Sequence, residues 1–301
     1  MNPTGFPDTE PLITLRDWLR FGVSQMNQAQ LHFGHGTGNA WDEAVYLLLK
    51  TLHLPIDNLD PFLDACLTEP EREALQHVLH QRIHLRIPSA YLTHEAWLGD
   101  FSFFVDERVI IPRSYIAELL ADKLALWVSE PDCVTSILDL CTGSGCLAIL
   151  AANAFPNADI DAVDISADAL AVAELNVDEY QLNQQITLIE SDLYRQVKQQ
   201  YEIILSNPPY VNAASMDALP AEYRTEPVLA LAGGDDGLDL VRQIIRQAKQ
   251  YLYPDGLLIV EIGHNRNVLE AAFPQLEFTW LETSDGNEFV FVLTKAQLSV
   301  L

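Results

Sequence analysis

A glycine-rich stretch, Asp-Leu-Cys-Thr-Gly-Ser-Gly at 139–145, closes one apolar run and opens a helical one. Glycine has no Cβ, so Gly143 and Gly145 let the backbone approach a ligand where a strand turns into a helix. Asp164 closes the next apolar run, about twenty residues on, where a carboxylate can accept hydrogen bonds from both hydroxyls of a ribose. After a third run, Asp192 and the backbone of Leu193 can meet an adenine amino group and ring nitrogens. Each signal alone would suit a cap or a turn. Three in succession point to a nucleoside. Gly143, Gly145 and Ala148 also satisfy the dinucleotide pattern GxGxxA, so the loop by itself leaves a nicotinamide enzyme open. A fourth run delivers Ser-Asn-Pro-Pro-Tyr at 206–210 to the same edge. Two prolines end a strand, since neither donates a backbone N–H and each restricts its predecessor. A rigid turn would account for them alone, but not for the amide and the ring beside a nucleoside.

The elements that must position these groups follow from periodicity. The first 87 or so residues read as a helical bundle. Thr14 and Asp17 stand at capping-box spacing before a helix with Leu15, Trp18, Leu19, Val23 and Met26 on one face. Residues 41–52 form a second helix and 60–67 a short third. Residues 68–85 form a fourth, with Thr68, Pro70 and Glu71 at its start. This last helix carries His77, His80 and His84. The last two share a face, but no third ligand stands nearby, so a solvated or packed face is the simpler reading. Alternation around Gly99-Asp100 predicts a hairpin connector over 88–113, its second arm ended by Pro112. From Ser114 onward, five apolar runs (136–141, 159–165, 186–191, 201–206 and 257–263) alternate with helices. That predicts βαβ units and a parallel sheet. Two final strands, 278–283 and 288–295, flank a turn-forming Ser-Asp-Gly-Asn and pair as a hairpin.

The chain has 301 residues, 49% of them hydrophobic and 20% charged, as in an ordinary globular protein. Its charge is unusual: 43 acidic against 17 basic residues give −26. Such a surface repels phosphates and steers a basic partner, although solubility alone would leave the same signature. Direct nucleic-acid binding is therefore not expected. No run approaches membrane-spanning length, and Cys66, Cys133, Cys141 and Cys146 show no ligand-like or disulfide spacing. A reduced, cytoplasmic protein is expected.

The glycine loop followed by Asn207-Pro208-Pro209-Tyr210 resembles the HemK-type class I methyltransferases, whose NPPY signature is shared with amino-methylating DNA and RNA enzymes. The resemblance implies an α/β, Rossmann-like domain at 114–301 with a seven-stranded, mostly parallel sheet. It implies S-adenosylmethionine as cofactor, held by Asp139, Cys141, Thr142, Gly143, Ser144, Gly145, Asp164, Asp192, Leu193 and Asn207, and no metal. The catalytic set it implies is Asn207, Pro208, Pro209 and Tyr210. A planar amide is a poor nucleophile. The Asn207 side-chain oxygen and the Pro208 carbonyl would accept its two N–H groups and aim its lone pair at the methyl group. Positioning of this kind supplies up to ~7–11 kcal/mol of a barrier. Tyr210 would pack on the planar target.

The order of helices (1–87, for substrate recognition), hairpin, sheet and NPPY is similar to that of protein glutamine methyltransferases along essentially the whole chain. Residues 105–114 and 219–240 look like the branch acting on the large-subunit ribosomal protein uL3. The release-factor branch carries a proline and acidic residues after the Pro-Arg pair, where this chain has Ser114-Tyr115-Ile116. Cys141 stands where many relatives carry glycine. Glu222, Tyr223 and Arg224 stay outside the catalytic set. Three readings compete: a protein glutamine methyltransferase for uL3 or a release factor, a nucleobase amino methyltransferase, and a nucleoside-binding module or dehydrogenase.

Overall fold

The computed structural model describes Phe6 and residues 9–301. The chain forms two compact units: residues up to Ala96 with Pro220–Thr225, and Trp97–Leu219 with Glu226–Leu301. No described helix is long and apolar enough to cross a membrane.

The first unit is helical. Helix α1 (Leu15–Gln28) starts at the expected capping box: the Thr14 N–H donates to Asp17 at 2.9 Å, and the Asp17 N–H to Thr14 Oγ1 at 3.2 Å. Asn39 caps α2 (Ala40–Thr51), and Glu71 reaches back to the Thr68 N–H at 2.7 Å to start α3 (Glu69–His84). Trp18, Met26, Leu47, Leu48, Leu75 and Leu79 fill the core between them. The third helix expected at 60–67 is only a 3₁₀ turn, Asp60–Phe62, because the chain then straightens and Cys66 bridges Thr14. A short helix not foreseen in the sequence, α4 (Ser89–Thr93), also groups with this unit. The rings of His80 and His84 lie 5.1 Å apart and tilted, with Phe6 4.8 Å from His84; burial, then His80, pushes the His84 imidazole below its ordinary range.

This unit also buries a charge network. Arg82 donates to Glu43 at 2.5 Å and to the His32 carbonyl at 3.1 Å. Glu222 accepts from Arg86 at 3.0 Å and from the His32 N–H at 3.2 Å. The Tyr223 ring lies 4.4 Å from that of His35. Segment 220–225 is therefore part of the helical unit, anchored by a carboxylate that finds two guanidinium groups.

Strands β1 (Ala96–Leu98) and β2 (Phe101–Phe103) form the expected hairpin around Gly99. The second arm stops at Phe103, well short of Pro112. Asn176 takes over both backbone groups of Phe104, accepting its N–H at 2.7 Å and donating to its carbonyl at 3.1 Å.

The second unit is an α/β domain. Seven strands, β3 (Ser136–Leu140), β4 (Asp159–Asp164), β5 (Ile186–Glu190), β6 (Tyr201–Ser206), β7 (Leu252–Glu261), β8 (Thr279–Thr283) and β9 (Gly286–Thr294), pair in the order β5-β4-β3-β6-β7-β9-β8. The first five run parallel, and the β8–β9 hairpin closes the edge antiparallel. Helices α5 (Ile116–Ala121), α6 (Cys146–Ala154), α7 (Ala167–Glu179), α8 (Ala213–Ala218), α9 (Asp239–Tyr251) and α10 (Arg266–Ala272) complete it. From β3 the chain builds outward through β4 to β5, then returns to β6 on the other side. Strands β3 and β6 therefore flank the switch point, where open α/β sheets bind ligands beyond their carboxyl ends. Register puts Leu140 level with Val163 and Ser206, and Asp164 level with Glu190.

Candidate active site

Each strand reaches that edge with a different group. After β3 the chain must reverse into α6 within five residues, which it does with three positive φ angles: Cys141 at 61°, Gly143 at 57° and Gly145 at 80°. A Cβ on Gly143 would meet only Ile110, at 3.9 Å. One on Gly145 would press to 3.2 Å from the Ala173 Cβ, so this glycine also lets α6 and α7 approach. Cys141 accepts a conformation that side chains resist, which explains why glycine suits its position. Burial pushes its thiol well above the ordinary range.

Asp164 holds the loop from β4. Its carboxylate accepts the Gly143 N–H and the Ser166 N–H, each at 2.9 Å. Burial raises its pKa, against the pull of these donors. At the end of β5, Ser191 donates to the Leu193 carbonyl and accepts the Gln196 N–H, each at 2.9 Å. That turn holds Leu193 at φ 48° beside Asp192. At the end of β6, Ser206 donates to the Leu140 carbonyl at 2.8 Å and closes the sheet edge behind Asn207.

A cavity of about 140 Å³ opens there. Of the residues singled out in the sequence, Cys141, Gly143, Asp164, Asp192, Leu193, Asn207 and Pro209 line it. Thr142, Ser144, Gly145, Pro208 and Tyr210 do not, and Asp139 lies behind the loop with no exposed surface. Asp139 accepts from Thr142 Oγ1 at 2.5 Å, and burial pushes its carboxyl up to about 7. Apolar Val163, Ile165 and Leu240 share the wall with the acidic acceptors, a combination that suits a nucleoside's flat base and its hydroxyls.

The amide of Asn207 is oriented. Its Nδ2 donates to the Arg113 carbonyl at 3.3 Å, which turns the side-chain oxygen the other way. Tyr210 is anchored rather than free to follow a ligand. Its hydroxyl donates to Glu261 at 3.1 Å, and its ring lies so close to Gly263 that a Cβ there would stand 2.7 Å away. Gly233 and Gly237 give the same kind of clearance to the carbonyls of Pro209 and Tyr210. Burial, then the Glu261 charge, keeps the Tyr210 phenol protonated far above its ordinary range.

Several contributors escaped the sequence reading. Arg108, Val109 and Ile110 line one wall, and Pro227, Leu229 and Ala230 another. Glu226 and Glu261 are buried carboxylates that fix residues 111–115, and Asn176 donates to the Ser144 carbonyl at 2.8 Å. The signal that could have found Glu226 and Glu261 is a lone acid beside an otherwise apolar segment.

Comparisons with known proteins bear on the family and the fold. The Methyltransferase small domain family matches residues 117–222. A protein of Neisseria gonorrhoeae named ribosomal protein uL3 glutamine methyltransferase is 58% identical, covering 96% of this chain and 97% of its own length. Proteins of the same name from Burkholderia pseudomallei and Bradyrhizobium diazoefficiens are 56% and 47% identical, covering 96% and 95% of this chain and 96% and 92% of theirs. Among solved structures, the hMettl16 catalytic domain in complex with MAT2A 3'UTR hairpin 1 shares the fold. It has a TM-score of 0.51 at 18% identity, covering 84% of this chain and 90% of that one. Identity of this order along nearly the full length leaves one placement: the chain belongs to the family of ribosomal protein uL3 glutamine methyltransferases.

Proposed function

We propose that this protein methylates a glutamine side-chain amide nitrogen of ribosomal protein uL3. The observation that carries the reading is that Asn207 lines the same cavity as Gly143, Asp164 and Asp192, in a chain of this family. S-adenosylmethionine, when bound, supplies an electrophilic methyl group. The residues of the chain do the rest. Asp164 and Asp192 are the acceptors for the nucleoside end, and the loop at Gly143 gives the backbone close approach. Asn207 presents Oδ1, and the neighbouring Pro208 carbonyl is held rigid by its ring. Together they would accept both N–H groups of the glutamine amide and turn its nitrogen lone pair toward the methyl group. A general base is unnecessary, because the methylated nitrogen is acidic and loses its proton readily. Asp139, Thr142, Ser144 and Gly145 support the loop from behind. Tyr210 braces the motif through Glu261.

The segment after Pro112 favours the uL3 branch over the release-factor branch. Ser114 Oγ and the Tyr115 N–H both donate to Glu261, at 2.7 and 2.9 Å. A proline at 114 would remove that hydroxyl. A net charge of −26 opposes the nucleobase reading and suits a basic substrate, because ribosomal proteins neutralise RNA phosphates. The helical unit carries no catalytic motif, and holding uL3 is the role we assign to it. Four free cysteines fit a reduced, cytoplasmic setting.

The test is transfer of labelled methyl groups to purified uL3, with the modified residue identified by mass spectrometry. Asn207→Ala should lower turnover by ~10²–10³ and leave cofactor affinity nearly intact. Turnover within threefold of the parent would sink the role given to Asn207.

A further inference from the structure

We infer that Glu226 is a positioning residue for methyl transfer, acting on Asn207 through Arg113. The inference rests on the reading that Asn207 holds the substrate amide. The Asn207 Nδ2 bond to the Arg113 carbonyl selects one of two amide orientations. In the other, Nδ2 would point where an acceptor is needed, and the amide oxygen would face the carbonyl oxygen of Arg113.

That carbonyl lies in neither a helix nor a strand, since the chain between β2 and α5 forms no regular element. Side chains hold it instead. The Arg113 guanidinium meets Glu226 as a fork, with both N···O distances 2.6 Å. Glu226 Oε1 also accepts the Ile111 N–H at 3.1 Å. On the other side of the carbonyl, Glu261 accepts Ser114 Oγ at 2.7 Å and the Tyr115 N–H at 2.9 Å. The peptide is therefore gripped on both flanks by carboxylates that are only 3% and 1% exposed. A bidentate pair fixes direction as well as distance, and a buried carboxylate has no water to accept in exchange. Glu226 does not line the cavity, so its influence on the reacting atoms passes through Arg113. Glu261 is the poorer probe, because it also anchors Tyr210.

The experiment is a double-mutant cycle in the full-length enzyme, reading kcat for uL3 methylation, KM for uL3 and cofactor affinity. Glu226→Gln keeps the volume and one acceptor but loses the charged fork. Expected is a fall of tenfold or more in kcat, with cofactor affinity within twofold. In the Asn207→Ala background the same change should cost less than threefold, because the group being positioned is gone. Equal losses in the two backgrounds, or a kcat within threefold of the parent, overturn the inference. So does a cofactor affinity that falls in step with kcat. If Glu226→Gln does not fold, Arg113→Lys, which keeps a cation against Glu226 and loses only the fork, is read by the same criteria. If Asn207→Ala itself leaves turnover intact, the reading of Asn207 fails and the inference with it. If only Asn207→Ala is impaired, the inference alone fails.

Discussion

Replacing Asp139 by Asn should remove most of one component of the protein's pH dependence. Burial raises the Asp139 carboxyl from 3.8 to about 7, and the Asp164 charge adds to the rise. Hydrogen bonds from the Thr142 hydroxyl and the Ala148 N–H oppose it. The sign follows from proton counting. Between about pH 4 and 7 the folded state binds this proton and the unfolded state does not, so stability falls as pH rises through that window. At about 1.4 kcal/mol per pKa unit, the full penalty above pH 7 is roughly 4 kcal/mol, and the part incurred between pH 5 and 8 is roughly 2–3 kcal/mol. Asp139→Asn is neutral throughout. It leaves a buried NH₂ poorly partnered, at a cost of about 1–3 kcal/mol, but this cost is the same at both pH values and cancels in the comparison. Urea unfolding of both proteins at pH 5 and pH 8 gives four free energies. The parent should lose roughly 2–3 kcal/mol more than the variant over that interval. If the two proteins change in parallel, to within about 0.5 kcal/mol, Asp139 is not the buried, proton-holding group described above.

Asp164→Ala should weaken cofactor binding by ~1–3 kcal/mol for each charged hydrogen bond lost, with the Gly143 N–H also released from its acceptor. Calorimetric titration showing unchanged affinity would reduce the carboxylate to a loop clamp. Gly145→Ala should destabilise by about 2–4 kcal/mol, from its φ of 80° and the 3.2 Å approach to Ala173. Gly143→Ala, whose Cβ would make only an ordinary 3.9 Å contact with Ile110, should cost only about 1–2 kcal/mol, and equal melting temperatures would contradict this ranking. Apparent affinity for uL3 should fall as salt brings the Debye length below ~10 Å, while cofactor affinity stays level. A flat titration against salt would end the steering argument.

The sheet was legible in the sequence because each strand is a short apolar run bounded by turn residues, from Ser136–Leu140 to Gly286–Thr294. The chemistry at its edge was legible for a related reason. Asp164 is the last residue of its strand, and Gly143, Asp192 and Asn207 come within three residues of the end of theirs, so topology alone brings them together. What stayed hidden depends on partners far along the chain. Glu226 meets Ile111 and Arg113, Glu261 meets Ser114 and Tyr210, and Asn176 meets Phe104 and Ser144. Locally the only sign is that Glu226 and Glu261 are lone acids beside apolar segments, and Asn176 reads like any solvated helix residue. The short third helix failed for the opposite reason: local pattern favoured it, and a tertiary bridge from Cys66 to Thr14 drew the chain straight.

Segment 220–225 has a consequence for the order in which the molecule is made. The helical unit is encoded first, yet Arg86 finds Glu222 only 136 positions later. As the chain leaves the ribosome at about 5–20 residues per second, Arg86 waits roughly 7 to 27 seconds for Glu222. During that interval Arg82 and Arg86 lack one of their carboxylates, and the surface meant for Tyr223 stays open to other chains. A chaperone or the ribosome itself would meet this half-finished bundle before the sheet exists. The same interruption affects engineering. A chain begun near Ile87 loses Arg82 and Arg86 together and leaves Glu222 without either cation, so transplanting the helical unit requires moving two stretches of sequence rather than one.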